Sequence, residues 1–280
     1  MTGRTATDEI RAALAHRFGE DIQVPELAQG AETLAVMAGR GAVRAFTGEP
    51  VEPALLRLLA AIALSAPTKS DLQQRDIVIV EDPAIRRELH DIIRHRWLDT
   101  TPAFFVFLAN NRRQRQVHDW RARPFANDHL DAFFNAAVDA AITLSACVTA
   151  AEAVGLGACP ISQIRNDCAR VKRLLALPQH VIPVAGLALG WPEAAAPQTP
   201  RLPLGVTLHT DRFDDTHVAT MIDGYDRRRE EVMPYARQRD EEIHGRAPRY
   251  GWSEEKARHY SRPERADFGR FVRQQGFNLE

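Results

Sequence analysis

The longest apolar pattern in the chain is an Ala-rich segment of 27 residues, 128–154. Only four of its side chains are acidic and none is basic, so the segment is apolar on nearly every side. As a helix it would be roughly 40 Å long and buried around most of its circumference. Asp139 and Thr143 interrupt it, and a carboxylate inside a bilayer is costly, which argues against a membrane span. The pattern predicts a central helix in a core or at a subunit interface.

Shorter periodic segments predict the remaining elements. Helical spacing of apolar residues is found over 8–18 (with Thr7 as its cap), 32–37, 52–65, 83–94, 167–177, 215–231 and, in the tail, 261–277. Apolar runs predict strands over 76–82, 103–108, 158–161 and 181–189. The polar stretches 110–127 and 234–250 predict surface loops, the second of them lid-like. Strands that alternate with helices predict an α+β or α/β sandwich around one central sheet.

The same pattern divides the chain into three segments that pack together as one body. Residues 1–36 are predicted to be an N-terminal helical extension. Residues 37–205 form the core, and residues 206–280 form a C-terminal extension with helices and the lid-like loop.

Composition narrows the classes of function. The net charge is −1, which argues against nucleic acid or an anionic membrane as a partner. Three cysteines without CxxC spacing indicate neither a disulfide framework nor a metal site of the zinc type. The first residues lack an apolar signal-peptide core, so a cytoplasmic location is expected.

The familiar catalytic motifs are missing from the sequence. It contains no GxxxxGK[ST], GxSxG, HExxH or strand-linked GxGxxG pattern, and its histidines are scattered. A catalytic triad or a metal-dependent mechanism therefore has no positive support.

Four polar clusters could instead carry chemistry, and each also has a plain structural interpretation. Residues 39–46 place Arg40 and Arg44 four apart, which suits a phosphate, although most surface arginines are simply solvated. Residues 67–74 form a dense polar turn before a strand, which is either a connector or a ligand contact. Residues 160–166 end in Asn166, which suits a helix cap, while the amides of Ser162 and Gln163 could face a ligand. Residues 199–203 hold Arg201 in a proline-stiffened connector.

The order of these clusters resembles the FMN-dependent nitroreductase superfamily, from about residue 37 to residue 277. The matching stretches are RGAVRAF at 40–46, APTKSDLQ at 66–73, AEAVGLG at 151–157, LPQHV at 177–181 and LGWP at 189–192. The segment PRLP at 200–203, with a tail containing Trp252 and QGF at 275–277, most resembles the subgroup of NADPH nitroreductases and flavin reductases. Each motif alone is unspecific, whereas their ordered occurrence is a strong signal.

The resemblance implies an α+β fold with a nitroreductase-like central mixed or antiparallel sheet flanked by helices. It also implies an intertwined homodimer with FMN between the subunits. The implied cofactor-binding residues are Arg40, Gly41, Arg44, Thr68, Lys69, Ser70, Gln73, Ser162, Gln163 and Arg201. The arginines would hold the phosphate and ribityl chain, the turn would meet the ribityl and pyrimidine edge, and the amides near Ser162 and Gln163 would lie by the ring.

No catalytic side chain is expected, because the flavin N5 would carry the hydride. The resemblance implies a ping-pong oxidoreductase that takes electrons from NADPH or NADH and passes them to a nitroaromatic, quinone or flavin acceptor. Arg237 and Arg239 are candidates for the 2′-phosphate of NADPH.

Three positions depart from the family pattern. Gly41 stands where a Ser is common, Thr199 where a Lys is common, and Ser162-Gln163 where Gly-Gly is usual. We hypothesise that Lys69 compensates by stabilising the reduced, anionic flavin.

Three alternatives stay open at this point. A divergent enzyme on the same fold, such as a reductive dehalogenase, would share the FMN site. A non-enzymatic flavin-binding or regulatory protein would also do so. A nucleic-acid-binding protein that uses the Arg-rich stretch 112–123 is the least favoured, because net charge is balanced and few aromatics interleave.

Overall fold

The computed structural model describes residues 4–280. Its strands are β1 Arg75–Ile79, β2 Ala103–Asn110, β3 Gly157–Ile161 and β4 Val181–Gly190. Its helices are α1 Ala6–Phe18, α2 Ala31–Gly39, α3 Pro53–Leu64, α4 Pro83–Ile93, α5 Arg112–Trp120, α6 Leu130–Ala153, α7 Cys168–Leu174, α8 Leu204–Thr207, α9 Val218–Val232, α10 Glu241–His244, α11 Trp252–Tyr260 and α12 Phe268–Gln274. Short 3₁₀ helices occupy Lys69–Asp71, Arg96–Thr100 and Ser162–Asp167.

These elements belong to two compact units. One unit contains residues 4–41 and Pro197–Glu264, and the other contains Ala42–Ala196 and Arg265–Glu280. These units have other boundaries than the predicted segments 1–36, 37–205 and 206–280. The three segments stay a prediction.

The larger unit is built on a four-stranded sheet with the order β1-β2-β4-β3. Every neighbouring pair of its strands is antiparallel. All eight residues of β2 are buried, and their side chains alternate between the two faces. Phe104 and Val106 join a core cluster with residues of α4 and α7, whereas Phe105 and Phe107 join one with residues of α3 and α6. The predicted α+β fold with a helix-flanked antiparallel sheet is confirmed.

The long apolar segment forms the central helix α6. It packs against all four strands and against α3. Its small residues allow close packing, because Ala136, Ala140 and Ala151 are fully buried. Phe271 and Val272 of α12 join Ala136 and Ala140 in one cluster, so the tail helix docks on the core as predicted. Among the described helices, α6 is the one long and apolar enough by composition to cross a membrane, a criterion that core helices of soluble proteins also meet.

Several local predictions were wrong. The stretch 110–127 was expected to be a loop, yet it contains α5, whose polar residues show no apolar stripe. Thr5 rather than Thr7 caps α1, because Thr5 and Asp8 bond reciprocally to each other's backbone amides at 3.2 Å. Asp167 rather than Asn166 caps α7, since its carboxylate accepts from the Arg170 amide at 2.9 Å.

The smaller unit contains α1, α2 and α8 to α11. Helices α1 and α2 pack together, as do α9 and α11. Tyr225 of α9 is buried, donates its hydroxyl to the Pro200 carbonyl at 3.1 Å and stacks edge-on to Trp252 at 5.8 Å between ring centroids. These contacts anchor the extended segment that carries Arg201.

Candidate functional site

The polar turn between α3 and β1 has an unusual backbone. Ser70, Asp71 and Gln73 adopt positive φ values of 47°, 56° and 53°, in the left-handed region that side chains other than glycine disfavour. Such a conformation persists only where the surroundings hold it, and it occurs frequently at binding sites. Neighbouring residues must therefore hold this turn in its conformation, which a simple connecting loop would not require.

A buried carboxylate of the central helix holds this turn from one side. Asp139 is fully buried, and its two oxygens accept from the amides of Lys69 at 2.9 Å and Gln74 at 3.0 Å. The sequence showed a carboxylate on an apolar helix but could not show its partners. Asp139 is thus a site-building residue that sequence reasoning missed.

The first turn of α5 and the residue before it hold the same loop from the other side. Gln114 donates to the Leu72 carbonyl at 2.6 Å, and Arg113 donates to the Gln73 carbonyl at 2.6 Å. Asn111 donates to the Gln74 side chain at 2.6 Å. Because polar side chains satisfy its backbone on both sides, the turn can present its own side chains at the surface.

The predicted turn residues do not all face one cavity. Lys69 and Ser70 are exposed and line a cavity of about 340 Å³ together with Asn135 of α6. Gln73 lines a different cavity of about 420 Å³ and donates to Asp71 at 3.0 Å. Thr68 is half-buried in extended backbone just before the 3₁₀ turn.

The junction after β3 presents Ser162 and Gln163 at the start of a 3₁₀ helix. Ser162 is exposed, and Gln163 is half-buried. The next residue, Ile164, is fully buried and anchors the turn in the core. Arg165 then donates to the Val184 carbonyl and lies over the Phe268 ring at 5.7 Å.

A third cavity, of about 520 Å³, lies within the smaller unit. Arg17, Arg40 and Arg201 line it, none of its twelve described lining residues is acidic, and most of the others are apolar. Arg40 directly follows α2, and Arg201 lies in the extended segment before α8, where its amide donates to the Arg17 carbonyl at 2.7 Å. Such a lining suits an anionic group joined to an apolar or aromatic body.

Gly41 and Arg44 lie at the end of one unit and the start of the other. Gly41 is half-buried, and Arg44 is exposed. Arg44 sits on ordered backbone, because the Val43 amide donates to the Ala158 carbonyl at 3.1 Å and buried Phe46 bridges to Pro192.

The two arginines proposed for NADPH differ in their surroundings. Arg239 pairs with Glu255 at 3.0 Å, and its amide contacts the Tyr250 hydroxyl at 2.7 Å. Burial opposes the charge of Glu255, but hydrogen bonds from Tyr250 and Arg239 outweigh it and hold the pKa of that carboxyl below its ordinary value. Arg237 is exposed, and none of the described ion pairs or hydrogen bonds involves its guanidinium.

The cysteines are poorly suited to nucleophilic chemistry. All three are buried, and burial raises the pKa of Cys147 and of Cys168 to about 12. The thiols of Cys147 and Cys168 therefore stay protonated near neutral pH.

Comparison with known proteins agrees with this architecture. Residues 37–191 match the model of the Nitroreductase family, and residues 199–280 match that of the Nitroreductase family, C-terminal domain. The chain is 28% identical over 255 residues to the FMN reductase (NAD(P)H) of Bacillus subtilis, covering 89% of this chain and 99% of that protein. It is 34% identical over 182 residues to the oxygen-insensitive NADPH nitroreductase of Salmonella typhimurium, covering 65% and 74%.

A solved structure has a similar fold. The structure of B. megaterium NfrA2 superposes with a TM-score of 0.80 at 29% identity, covering 89% of this chain and 99% of that chain. The family match spans more than half of the described sequence, and the resemblance inferred from the ordered motifs is confirmed. The chain belongs to the nitroreductase family.

Proposed function

We propose that the chain is an NAD(P)H-dependent FMN oxidoreductase. The observation that carries this conclusion is the family match over residues 37–191, together with relatives named FMN reductase and NADPH nitroreductase. The smaller unit adds an independent physical argument, because its cavity of about 520 Å³ joins three arginines to an apolar lining. A phosphate attached to an aromatic ring system is the kind of ligand that this lining fits.

The residues proposed to hold FMN are those that the resemblance implies. Arg40, Arg44 and Arg201 are assigned to the phosphate and ribityl chain, since a guanidinium offers forked donors to phosphate oxygens. Arg40 and Arg201 line the same cavity, which supports the assignment of these two arginines.

The polar turn is assigned to the ribityl and pyrimidine edge. Thr68, Lys69, Ser70 and Gln73 supply donors and acceptors there. The exposed side chains of Lys69 and Ser70 on a backbone fixed by Asp139 support this role. The backbone amides near Ser162 and Gln163, with Gly41 in the first motif, complete the proposed set.

When bound, FMN would supply the redox chemistry of hydride transfer between NADPH or NADH and a nitroaromatic, quinone or flavin acceptor. The protein residues bind, orient and shield the reactants, so no side-chain nucleophile is needed. Arg237 is the better supported candidate for the NADPH 2′-phosphate, because the Arg239 guanidinium already pairs with Glu255.

The partner proposed for the larger unit is a second copy of the chain. Helices α3 and α6 pack together, yet Leu58 and Ile62 of α3 and Phe134 of α6 are 52%, 47% and 60% exposed. Large apolar side chains left exposed on two packed helices support a protein interface on this unit. A cytoplasmic location and the absence of nucleic-acid or membrane partners stay predictions.

An absorbance spectrum of the purified protein, followed by an NADPH oxidation assay with a quinone or nitroarene, tests the proposal. A yellow protein that turns over supports the oxidoreductase. A yellow protein without turnover on any of these acceptors favours a flavin-binding regulatory protein or a divergent enzyme. A colourless protein that takes up no FMN and binds DNA in a salt-sensitive manner contradicts the proposal.

A further inference from the structure

Helix α1 lies before both of the ranges that match the family models, yet it contributes to the arginine-lined cavity. The matches begin at residue 37, whereas α1 ends at Phe18. Leu14, Arg17 and Phe18 of its last turn nevertheless line the cavity together with Arg40 and Arg201. The N-terminal segment is therefore part of a binding cavity rather than an appendage.

The Arg17 side chain joins two separate segments. Arg17 as a whole residue is only 6% exposed. Nε donates to the Ala38 carbonyl at 2.6 Å, Nη1 donates to the Thr199 carbonyl at 3.2 Å, and Nη2 donates to the Arg40 carbonyl. One side chain thus fixes the backbone at Arg40 and the backbone two residues before Arg201.

Further hydrogen bonds fix the end of α1 against the same segment. The Arg17 carbonyl accepts from the Arg201 amide at 2.7 Å. Arg228 donates to the carbonyls of His16 at 2.9 Å, Arg17 at 2.8 Å and Arg201 at 3.0 Å. Carbonyls of a last helical turn lack partners within their helix, so these bonds satisfy groups that would otherwise need water.

We propose that Arg17 is a positioning residue for the phosphate end of the flavin. Its hydrogen bonds set the spacing between Arg40 and Arg201, and its guanidinium adds a third positive charge to the cavity lining. This inference rests on the proposed function, since it takes FMN as the ligand. It gives the N-terminal segment a defined role in distinguishing phosphorylated from unphosphorylated flavin.

The test compares FMN with riboflavin, which has the same ring and ribityl chain but no phosphate. Flavin-free wild type, Arg17→Met and Arg17→Lys are titrated with each flavin by fluorescence quenching, and each protein is also unfolded in urea. Arg11→Met is the matched control, because Arg11 lies on the same helix, is about half-exposed and pairs with Asp8.

The Arg17→Met variant is expected to weaken FMN binding about tenfold or more, the scale of a lost charge-assisted interaction, and riboflavin binding less than about threefold. Arg17→Lys keeps the charge with fewer directed donors, so its loss in the FMN-to-riboflavin preference should be intermediate. Arg11→Met should match the wild type for both flavins.

Equal weakening of FMN and riboflavin, or no weakening of either, would overturn the proposal, because a merely structural role does not discriminate the phosphate. If Arg17→Met does not fold, Arg17→Lys decides, and a preference equal to that of the wild type overturns the proposal. Wild-type protein that binds neither flavin would overturn the proposed function and the role of Arg17 with it.

Discussion

Replacing Asp139 by Asn tests whether the buried carboxylate holds the polar turn between α3 and β1 in place. The two carboxylate oxygens each accept one backbone amide, from Lys69 at 2.9 Å and from Gln74 at 3.0 Å. Asparagine keeps one oxygen acceptor but presents an NH₂ group to the other amide. The substitution therefore removes one hydrogen bond and sets two buried donors against each other.

The magnitude follows from the burial of this group. A hydrogen bond to a charged acceptor contributes about 1.5–3 kcal/mol, and an unsatisfied buried donor costs about 1–3 kcal/mol. Because Asp139 is fully buried, solvent cannot replace the lost acceptor. The free energy of unfolding should fall by about 3–5 kcal/mol, which is a large share of a typical domain stability.

Equilibrium unfolding of the flavin-free protein in urea measures this loss, and an FMN titration measures its effect on the site. Asp131→Asn is the control for stability, since Asp131 lies on the same helix but is exposed. The free energy of unfolding of this variant should fall by less than about 1 kcal/mol. FMN affinity should fall in Asp139→Asn. A stability loss below about 1 kcal/mol for Asp139→Asn would refute the argument.

Three further predictions address the interface, the donor and the pH dependence. Ile62→Asp should convert the proposed dimer to a monomer in sedimentation velocity. Leu208→Asp changes an exposed apolar residue of the smaller unit and should leave the dimer intact. A wild type that sediments as a monomer contradicts this prediction. Arg237→Ala should raise KM for NADPH about tenfold, the scale of one lost phosphate contact, and leave KM for NADH unchanged. Equal effects on the two KM values would exclude a contact between Arg237 and the 2′-phosphate. Burial and the Arg115 charge lower the pKa of His180 below its ordinary value of 6.5. The unfolded chain therefore binds its proton more readily, so this contribution to stability is complete above pH 6.5 and declines as pH falls below it. In urea titrations, His180→Gln should weaken that decline, and an unchanged pH dependence would contradict this.

Much of the fold could be predicted because it depends on local apolar patterns. The strand positions and the long helix α6 followed from largely apolar runs, although boundaries moved by a few residues. Helix α5 could not be found this way, because its surface is polar and its place is fixed by bonds from Arg113 and Gln114 to a distant turn. A helix held by polar contacts leaves little periodic signal.

The candidate site was predicted only in part. Ordered motifs pointed to the turn at 67–74 and to the arginines, because those residues lie close together in sequence or fall in recognisable order. Asp139 and Arg17 could not be assigned, because their partners lie far away along the chain, 182 residues away in the case of Arg17 and Thr199. Asp139 accepts from backbone amides and Arg17 donates to backbone carbonyls. Such bonds impose no residue type on the backbone partner, so no sequence pattern reveals them.

Anaerobic reduction of the FMN-loaded protein measures electron transfer through FMN directly. We expect NADPH or NADH to bleach the visible flavin absorption, and subsequent addition of a quinone or nitroarene to restore it. Arg201→Ala protein prepared in the same way should retain less flavin. Wild-type protein that binds FMN but keeps its full absorption in excess NADPH and excess NADH would contradict the account.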